Sequence, residues 1–171
     1  KLSGKRGTAK NTLNRTDTTT KQTVFSREII NQINRLSRWN GNLDLSRLLY
    51  NPENPDSSQT LRSVLELLKL QGKSQYVTNL NLRDNSLTSH PPEIGTLGNL
   101  SYLDLNRNNL STLPESLGNL VNLQGLLLSE NDLSALPENL GNLVNLQDLC
   151  LHHNNLSALP DSIGNLVNLR V

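Results

Sequence analysis

The chain has 171 residues, enough for one domain or for a compact repeat array with a small appended region. Apolar residues make up 35%, and no run approaches the roughly 18 consecutive apolar residues that a membrane-spanning helix requires. The net charge is +1, and a single cysteine excludes an internal disulfide and favours a reducing, cytoplasmic location.

The first 23 residues form a basic segment. They carry six cationic residues against one acid, a net charge of +5, so the rest of the chain sums to −4. Only three of them are apolar, too few to offset the entropy of ordering the segment. We predict a flexible tail over residues 1–23. The alternative is an arm for nucleic acid or an anionic membrane, but the segment lacks the interleaved aromatic residues that favour base stacking.

Residues 24–76 contain two helical patterns separated by a strand pattern. Apolar residues at helical spacing lie around Ser26 (Phe25, Ile29, Ile30, Ile33 and Leu36) and after Asp56 (Leu61, Val64, Leu65 and Leu68). Asp56 with Gln59 has the spacing of a capping box. Between the helices, the alternation in residues 42–46 predicts a degenerate first strand whose return segment is a helix at about residues 57–70. We predict that residues 24–76 form a helical N-terminal cap, because an open stack of repeats needs one.

From Val77 onward the chain repeats every 23 residues without an insertion. The units are VTNLNLRDNSLTSHPPEIGTLGN, LSYLDLNRNNLSTLPESLGNLVN, LQGLLLSENDLSALPENLGNLVN and LQDLCLHHNNLSALPDSIGNLVN, and a fifth begins at Leu169. At places 1, 4, 6, 9, 11 and 14 of the units, nineteen of twenty-four residues are Leu or Val and four are Asn. The exception is His90, which we interpret as a neutral histidine at the junction with the cap. Because the fifth unit is only begun, we expect a longer parent protein to continue the stack.

Each unit is expected to contain a short strand with one buried face. In residues 102–106, alternation sends Leu103 and Leu105 to the core and the other side chains to the opposite face. The asparagine that follows each strand can bond backbone groups through its carbonyl and its amide, so stacked units would carry an interior asparagine ladder (Asn85, Asn108, Asn131 and Asn154). Pro114 and Gly118 break any long helix in the return segment. Stacked at about 4.8 Å, the units would share one core and form a parallel sheet.

These units resemble the leucine-rich repeat family, whose LxxLxLxxNxL pattern is matched four times over about residues 77–171. The second half of each unit is similar to the 23-residue variety of bacterial and cytoplasmic eukaryotic proteins. The resemblance implies an α/β fold, a right-handed leucine-rich repeat solenoid with short parallel strands on its concave face. It also implies a protein–protein interaction module, because the family binds many unrelated partners and is seldom catalytic. The alternative is the substrate-recognition portion of a larger enzyme, or of a bacterial effector delivered into a host cytoplasm, with its catalytic domain outside this chain.

The face opposite the leucines is the predicted partner-binding surface. It is polar and mixed, with Tyr102 and Leu127 near its centre, which suits a protein partner. Its sixteen positions, which are Gly125, Asp84 and the fourteen residues given at the end of this paragraph, carry a net charge of −2 that would repel phosphate backbones. We therefore expect a protein partner, no nucleic acid on the repeat face and no membrane association. The alternative is that these residues are merely solvated. The predicted partner-binding residues are Asn79, Asn81, Arg83, Tyr102, Asp104, Asn106, Arg107, Leu127, Ser129, Glu130, Asp148, Cys150, His152 and His153.

The stretch DLCLHHN at residues 148–154 places the only cysteine beside an acid and two histidines. Alternation puts Asp148, Cys150 and His152 on the exposed face, with about 6.6 Å between successive residues. A zinc site needs three or four convergent ligands, and the neighbouring strand offers none except Glu130 beside His153. A catalytic Cys–His pair would need oxyanion donors or a helix N-terminus, and neither is predicted nearby. We expect no metal, no cofactor and no catalytic residue, and we interpret the stretch as one rung of the recognition face.

Deleting residues 1–23 should leave the melting temperature nearly unchanged, because the segment has too few apolar residues to pack against the cap. Thermal unfolding of the full and shortened chains tests this. Any effect of the deletion should be confined to a salt-sensitive association with anionic surfaces. A marked loss of stability would show instead that the segment packs against the cap.

Overall fold

The structure, a computed structural model, describes residues 25–38, 40–49, 57–89 and 91–170. The predicted tail, the Asp56 capping box and the role of His90 therefore lie outside the described residues.

Five short strands form one parallel sheet: β1 Asn42–Asp44, β2 Asn79–Asn81, β3 Tyr102–Asp104, β4 Gly125–Leu127 and β5 Asp148–Cys150. The strands pair in chain order, and the register joins equivalent positions of successive units, so that Leu80 lies opposite Leu103 and Leu103 opposite Leu126. The predicted stack of parallel strands is confirmed. The degenerate strand pairs with β2 in the same register, Leu43 lying opposite Leu80.

The return segments are short 3₁₀ helices, at Pro92–Thr96, Glu115–Asn119, Glu138–Asn142 and Asp161–Asn165, with a further one at Ser74–Tyr76. Each of the four helices after β2 to β5 begins at or after a proline and ends within five residues, as the Pro and Gly positions predicted. Gly118 has a second role that the sequence did not indicate. A Cβ atom there would lie 2.6 Å from the Asn139 carbonyl oxygen, so glycine allows successive helices to stack closely.

Two α-helices precede the regular units. The first, α1 Arg27–Arg35, starts at Ser26, whose hydroxyl accepts the Ile29 N–H at 3.3 Å, and buries Ile29 and Ile33. The second, α2 Ser57–Leu70, buries the predicted apolar face of Leu61, Val64, Leu65 and Leu68. The predicted N-terminal helix is present, and both helices join the leucine core that continues to Leu166. The division of the chain at residues 23/24 and 76/77 stays a prediction.

Lys73 ties α1 to the segment that leads into β2. Its ammonium donates to the Ile33 carbonyl at 2.7 Å and to the Asn34 carbonyl at 3.3 Å. These are carbonyls of the last turn of α1, where the Ile33 carbonyl also accepts the N–H of the C-cap residue Leu36 at 3.3 Å. Sequence patterns do not indicate the Lys73 contact, because it joins residues about forty positions apart.

The predicted asparagine ladder is present in the interior. The Asn108 amide donates to the carbonyls of Leu82, Leu105 and Asn106 at 2.9–3.2 Å, and its carbonyl accepts the N–H groups of Asn85 and Leu87 at 3.0–3.1 Å. Asn131 repeats the pattern one unit later, donating at 3.0 Å to Leu105 and Leu128. Each amide thus bonds its own unit and the preceding one, which fixes the bend after the strand and the spacing between units.

A second asparagine ladder, which the sequence analysis missed, runs along the return segments. Its four members each donate to a backbone carbonyl 24 residues earlier at 2.7–2.8 Å: Asn99 to Gln75, Asn122 to Gly98, Asn145 to Val121 and Asn168 to Val144. These side chains are exposed. In the sequence, this ladder corresponds to the asparagine in the last place of every unit.

The last described unit is less covered than the others. Leu149 and Leu151 are partly exposed, whereas Leu126 and Leu128 in the preceding unit are 0% exposed. Leu159 is 53% exposed, compared with 7% for Leu136 at the same place of the unit before. Burial in this fold is therefore supplied by the neighbouring unit on each side.

Truncating the core or the ladder should destabilise the protein strongly. Leu126→Ala or Leu128→Ala should lower the free energy of unfolding by about 2–5 kcal/mol, because each leaves a cavity between units. Asn131→Ala should cost at least about 1–3 kcal/mol, because buried backbone groups lose their partner. Denaturant unfolding measures all three. Asn142→Ala, at an exposed asparagine, is the matched control, and equal stability of Asn131→Ala and Asn142→Ala would contradict the ladder.

Candidate functional site

The concave face is the exposed side of the sheet together with the turn at the end of each strand. Places 3, 5, 7 and 8 of each unit form four columns across the strands, and all fourteen predicted partner-binding residues lie in these columns. The strand β1 adds four positions that the prediction did not include, Asn42, Asp44, Ser46 and Arg47. The face is therefore five rungs wide in the described part of the chain.

The place-5 column is divided into a polar and an apolar half. In the first three strands the side chain accepts the backbone N–H two residues later, as with Asp44 to Ser46 at 3.0 Å and Asn81 to Arg83 at 3.0 Å. Asp104 does the same for Asn106 at 2.9 Å. Leu127 and Cys150 replace this acceptor in β4 and β5. This end of the face therefore lacks the local turn bond and presents the less polar side chains of a leucine and a cysteine.

Two predicted face residues are not exposed. Asn106 is 9% and Ser129 is 2% exposed, so these two predicted partner-binding residues offer little surface to a partner. Because Leu127 provides no acceptor, the Ser129 N–H bonds the side-chain amide oxygen (Oδ1) of Asn106 at 2.7 Å. The Ser129 hydroxyl in turn lies 2.8 Å from Nδ1 of His152. Asn106 and Ser129 therefore lie beneath the surface of the face, where they hydrogen-bond other residues of the same column.

Tyr102 lies across the next strand. A Cβ atom on Gly125 would collide with Cδ2 and Cε2 of the Tyr102 ring, so the ring occupies the space that a side chain at Gly125 would fill. Its phenol is close enough to β5 for the charges there to act on it. The pKa of Tyr102 is raised, first by burial and then by the negative charges of Asp104, Asp148 and Cys150. Tyr102 nevertheless remains 38% exposed.

The place-8 column forms an edge ladder of residues with left-handed backbone: Arg47, Asp84, Arg107, Glu130 and His153, with φ of 55–57°. The charges alternate and pair. Arg47 donates to Asp84 at 2.9 Å, and Arg107 bonds both oxygens of Glu130 at 3.0–3.1 Å. The hydrogen bond and charge of Glu130 raise the pKa of Arg107. Arg107 and Glu130 are thus already engaged with each other, which the sequence analysis did not foresee.

In the described part of the chain, the cysteine and histidines at the C-terminal end of the face do not form a metal-binding group. No group of three or more His, Cys, Asp or Glu side chains there could hold a metal ion. His152 and His153 meet edge to face, with ring centroids 5.3 Å apart, and Cys150 is partly buried. Apart from Ser129, no described residue hydrogen-bonds to the His152 ring. The described helices include none long and apolar enough to cross a membrane.

Comparisons with known proteins agree with the repeat architecture. A family model described as a leucine-rich repeat region matches residues 56–171. The chain is similar to a leucine-rich repeat protein of Leptospira interrogans, with 33% identity and a TM-score of 0.65, over 87% of this chain and 40% of that one. It is also similar to the leucine-rich repeat domain of APL1B, with 26% identity and a TM-score of 0.51, over 56% of this chain and 28% of that one. No match was found among curated proteins.

The pKa of Tyr102 should respond to the two carboxylates beside it. Because a negative charge disfavours the phenolate, Asp104→Asn and Asp148→Asn should each lower the pKa toward its ordinary value, and the double variant should lower it further. The part caused by burial should remain. Titration of tyrosine labelled with ¹³C at Cζ, followed by NMR, resolves Tyr102 from the other tyrosines. Asp132→Asn, an exposed carboxylate outside the face, is the control, and an equal shift there would argue against the geometry.

Proposed function

Because the chain belongs to the leucine-rich repeat family, we propose that it is a protein-interaction module that binds a partner protein on its concave face. Leucine-rich repeats commonly mediate protein–protein interaction, and the outer face of the sheet is an ordered surface that is not part of the core. Within this face, the binding energy is concentrated at Tyr102 and Leu127.

The observation that carries the proposal is the pair of large side chains at the centre of the face. Tyr102 is 38% exposed, and Leu127 is only partly buried although a polar acceptor at its position would satisfy the turn. Protein interfaces concentrate their energy in a few aromatic and apolar anchors near the centre. Leu127 cannot accept the N–H two residues later, as a polar side chain at its position would, although it lies on the face turned toward solvent. Contact with a partner protein would account for a leucine there.

The rigidity of the scaffold supports the same function. The backbone under the face is fixed on one side by the strand pairs and on the other by the asparagine ladder. The backbone of such a surface is ordered before binding, so its conformational entropy is not lost when a partner docks.

The chain spans 40% of the length of the Leptospira structure that it matches. A recognition role within a larger protein, including an enzyme whose catalytic domain lies outside these residues, is a proposal of the same kind. It would use the same face, so the experiment below tests the binding surface in either case.

Replacing Tyr102 and Leu127 together with Ala should weaken partner binding by about 2 kcal/mol or more, because both are central contacts that become desolvated. The partner is first captured with the intact chain and identified, and its affinity is then measured by titration calorimetry. Cys150→Ser should change little.

The matched control is Val121→Ala with Val144→Ala, two exposed apolar residues (48% and 46% exposed) that lie outside the sheet. The proposal fails if the control weakens binding as much as the Tyr102 and Leu127 changes, or if those changes have no effect while thermal unfolding shows that the variants remain folded. One equivalent of tightly held zinc that is lost with Cys150→Ser would also contradict it.

A further inference from the structure

We propose that the centre of the concave face is a recognition site for a lysine or arginine side chain of the partner protein, held against the Tyr102 ring between Asp104 and Asp148. The inference rests on the proposed function and specifies the chemistry of the partner. It is carried by how the charges of the face are divided, by where the Tyr102 ring lies and by which carboxylate oxygens are free.

The charged residues of the face divide into an edge, where every charged group has an ion-pair partner, and an interior, where the carboxylates have none. Along the edge, Arg47 and Arg83 lie 2.9 Å and 3.8 Å from Asp84, and Arg107 pairs with Glu130. Three cations therefore face two carboxylates there. Three further carboxylates lie inside this edge, Asp104 and Asp148 near Tyr102 and Asp44 on β1, and none of them has an ion-pair partner among the described residues. Their negative charge is therefore left for a cation of the partner to pair.

The carboxylates differ in how much of their hydrogen-bonding capacity is already used. Asp44 accepts both the N–H and the hydroxyl of Ser46. Asp104 accepts only the Asn106 N–H, and Asp148 has no hydrogen-bond partner among the described residues. The free capacity therefore lies at Asp104 and Asp148, the two carboxylates whose charges also act on the pKa of Tyr102.

Tyr102 brings an aromatic surface to the same place. Since Gly125 has no side chain, the ring crosses β4 from β3 toward Asp148 on β5. Asp104 follows two residues later on β3, so the ring lies between the two carboxylates. A cation over such a ring gains from the ring quadrupole and from charge-assisted hydrogen bonds to the carboxylates.

Other ligands fit this centre less well. An anionic segment or a phosphate backbone would meet three unpaired carboxylates. A purely apolar side chain would bury the free oxygens of Asp104 and Asp148 without a partner, which is unfavourable. A divalent metal lacks a third ligand, because the described residues include no group of three His, Cys, Asp or Glu that could hold one. Leu127 and Cys150 provide less polar side chains against which the aliphatic stem of a lysine or arginine can pack.

The test uses the full chain and a random peptide library displayed on phage. Selection on the immobilised chain should enrich peptides that share a lysine or arginine. A synthetic copy of the best peptide should bind the intact chain about tenfold or more tightly than the Asp104→Asn, Asp148→Asn double variant. Asn81 makes the same turn bond as Asp104, so the first change keeps the local structure. Changing the peptide cation to glutamine should lose a similar factor.

The matched control is the Asp132→Asn, Asp161→Asn double variant, which removes the same charge from exposed positions outside the face. It should bind the peptide as the intact chain does. Equal weakening by both double variants would overturn the site and leave only a general charge effect. Enriched peptides without a cation, or no enrichment over the bare support, would overturn it as well.

Failure of this inference can be told apart from failure of the proposed function. Binding that ignores Asp104 and Asp148 but is lost when Tyr102 and Leu127 become alanine would overturn the cation site and leave the face as the interaction surface. Binding that none of these four changes affects would count against both.

Discussion

The hydrogen bonds of the buried asparagines are the interaction on which the rest of the structure depends. A chain that turns sharply after every three-residue strand leaves N–H and C=O groups inside the core, and these would be costly without partners. One asparagine side chain per unit has the donors and the acceptor to satisfy them, and Asn108 bonds five backbone groups in two units. A side chain without both an amide N–H₂ and an amide oxygen would leave some of them unpaired. The leucines supply the burial, but the asparagines set the position at which each strand ends.

The same turn determines the chemistry of the surface. Each ladder asparagine of the four regular units follows a residue with left-handed backbone, a conformation that is unfavourable for side chains with a Cβ atom. Because the turn recurs in register, these residues line up at the edge, where Arg47 meets Asp84 and Arg107 meets Glu130. Exposed pairs of this kind contribute little to stability. Their larger effect is to pair the cations of the face, so that Asp104 and Asp148 are left without an ion-pair partner among the described residues.

The fold was largely predictable from the sequence, because each unit repeats the same local rules in the same register. The strands, the interior asparagines and the helix that starts after Ser26 follow from period, alternation and capping. The candidate site was predictable only as a set of columns. Contacts between columns depend on one-residue departures from the pattern: the bare Cα of Gly125 admits the Tyr102 ring, and Leu127 removes an acceptor that Asn106 then replaces. Periodicity averages over such departures, so Asn106 and Ser129 were assigned to the surface.

These departures are concentrated on β4. β4 has no side chain at Gly125 and an apolar one at Leu127, and the turn after it has a buried hydroxyl at Ser129. The equivalent positions of β3 and its turn are Tyr102, Asp104 and Asn106. Selection for folding alone would favour another turn acceptor at Leu127, since the three preceding strands all have one. Instead, the side-chain amide oxygen of Asn106 accepts the Ser129 N–H and replaces the lost bond. A local rule that is broken and then compensated from a neighbouring strand is expected where a surface serves binding. Under the proposed function, these departures fall at the centre of the binding face, where the ring of Tyr102 crosses β4.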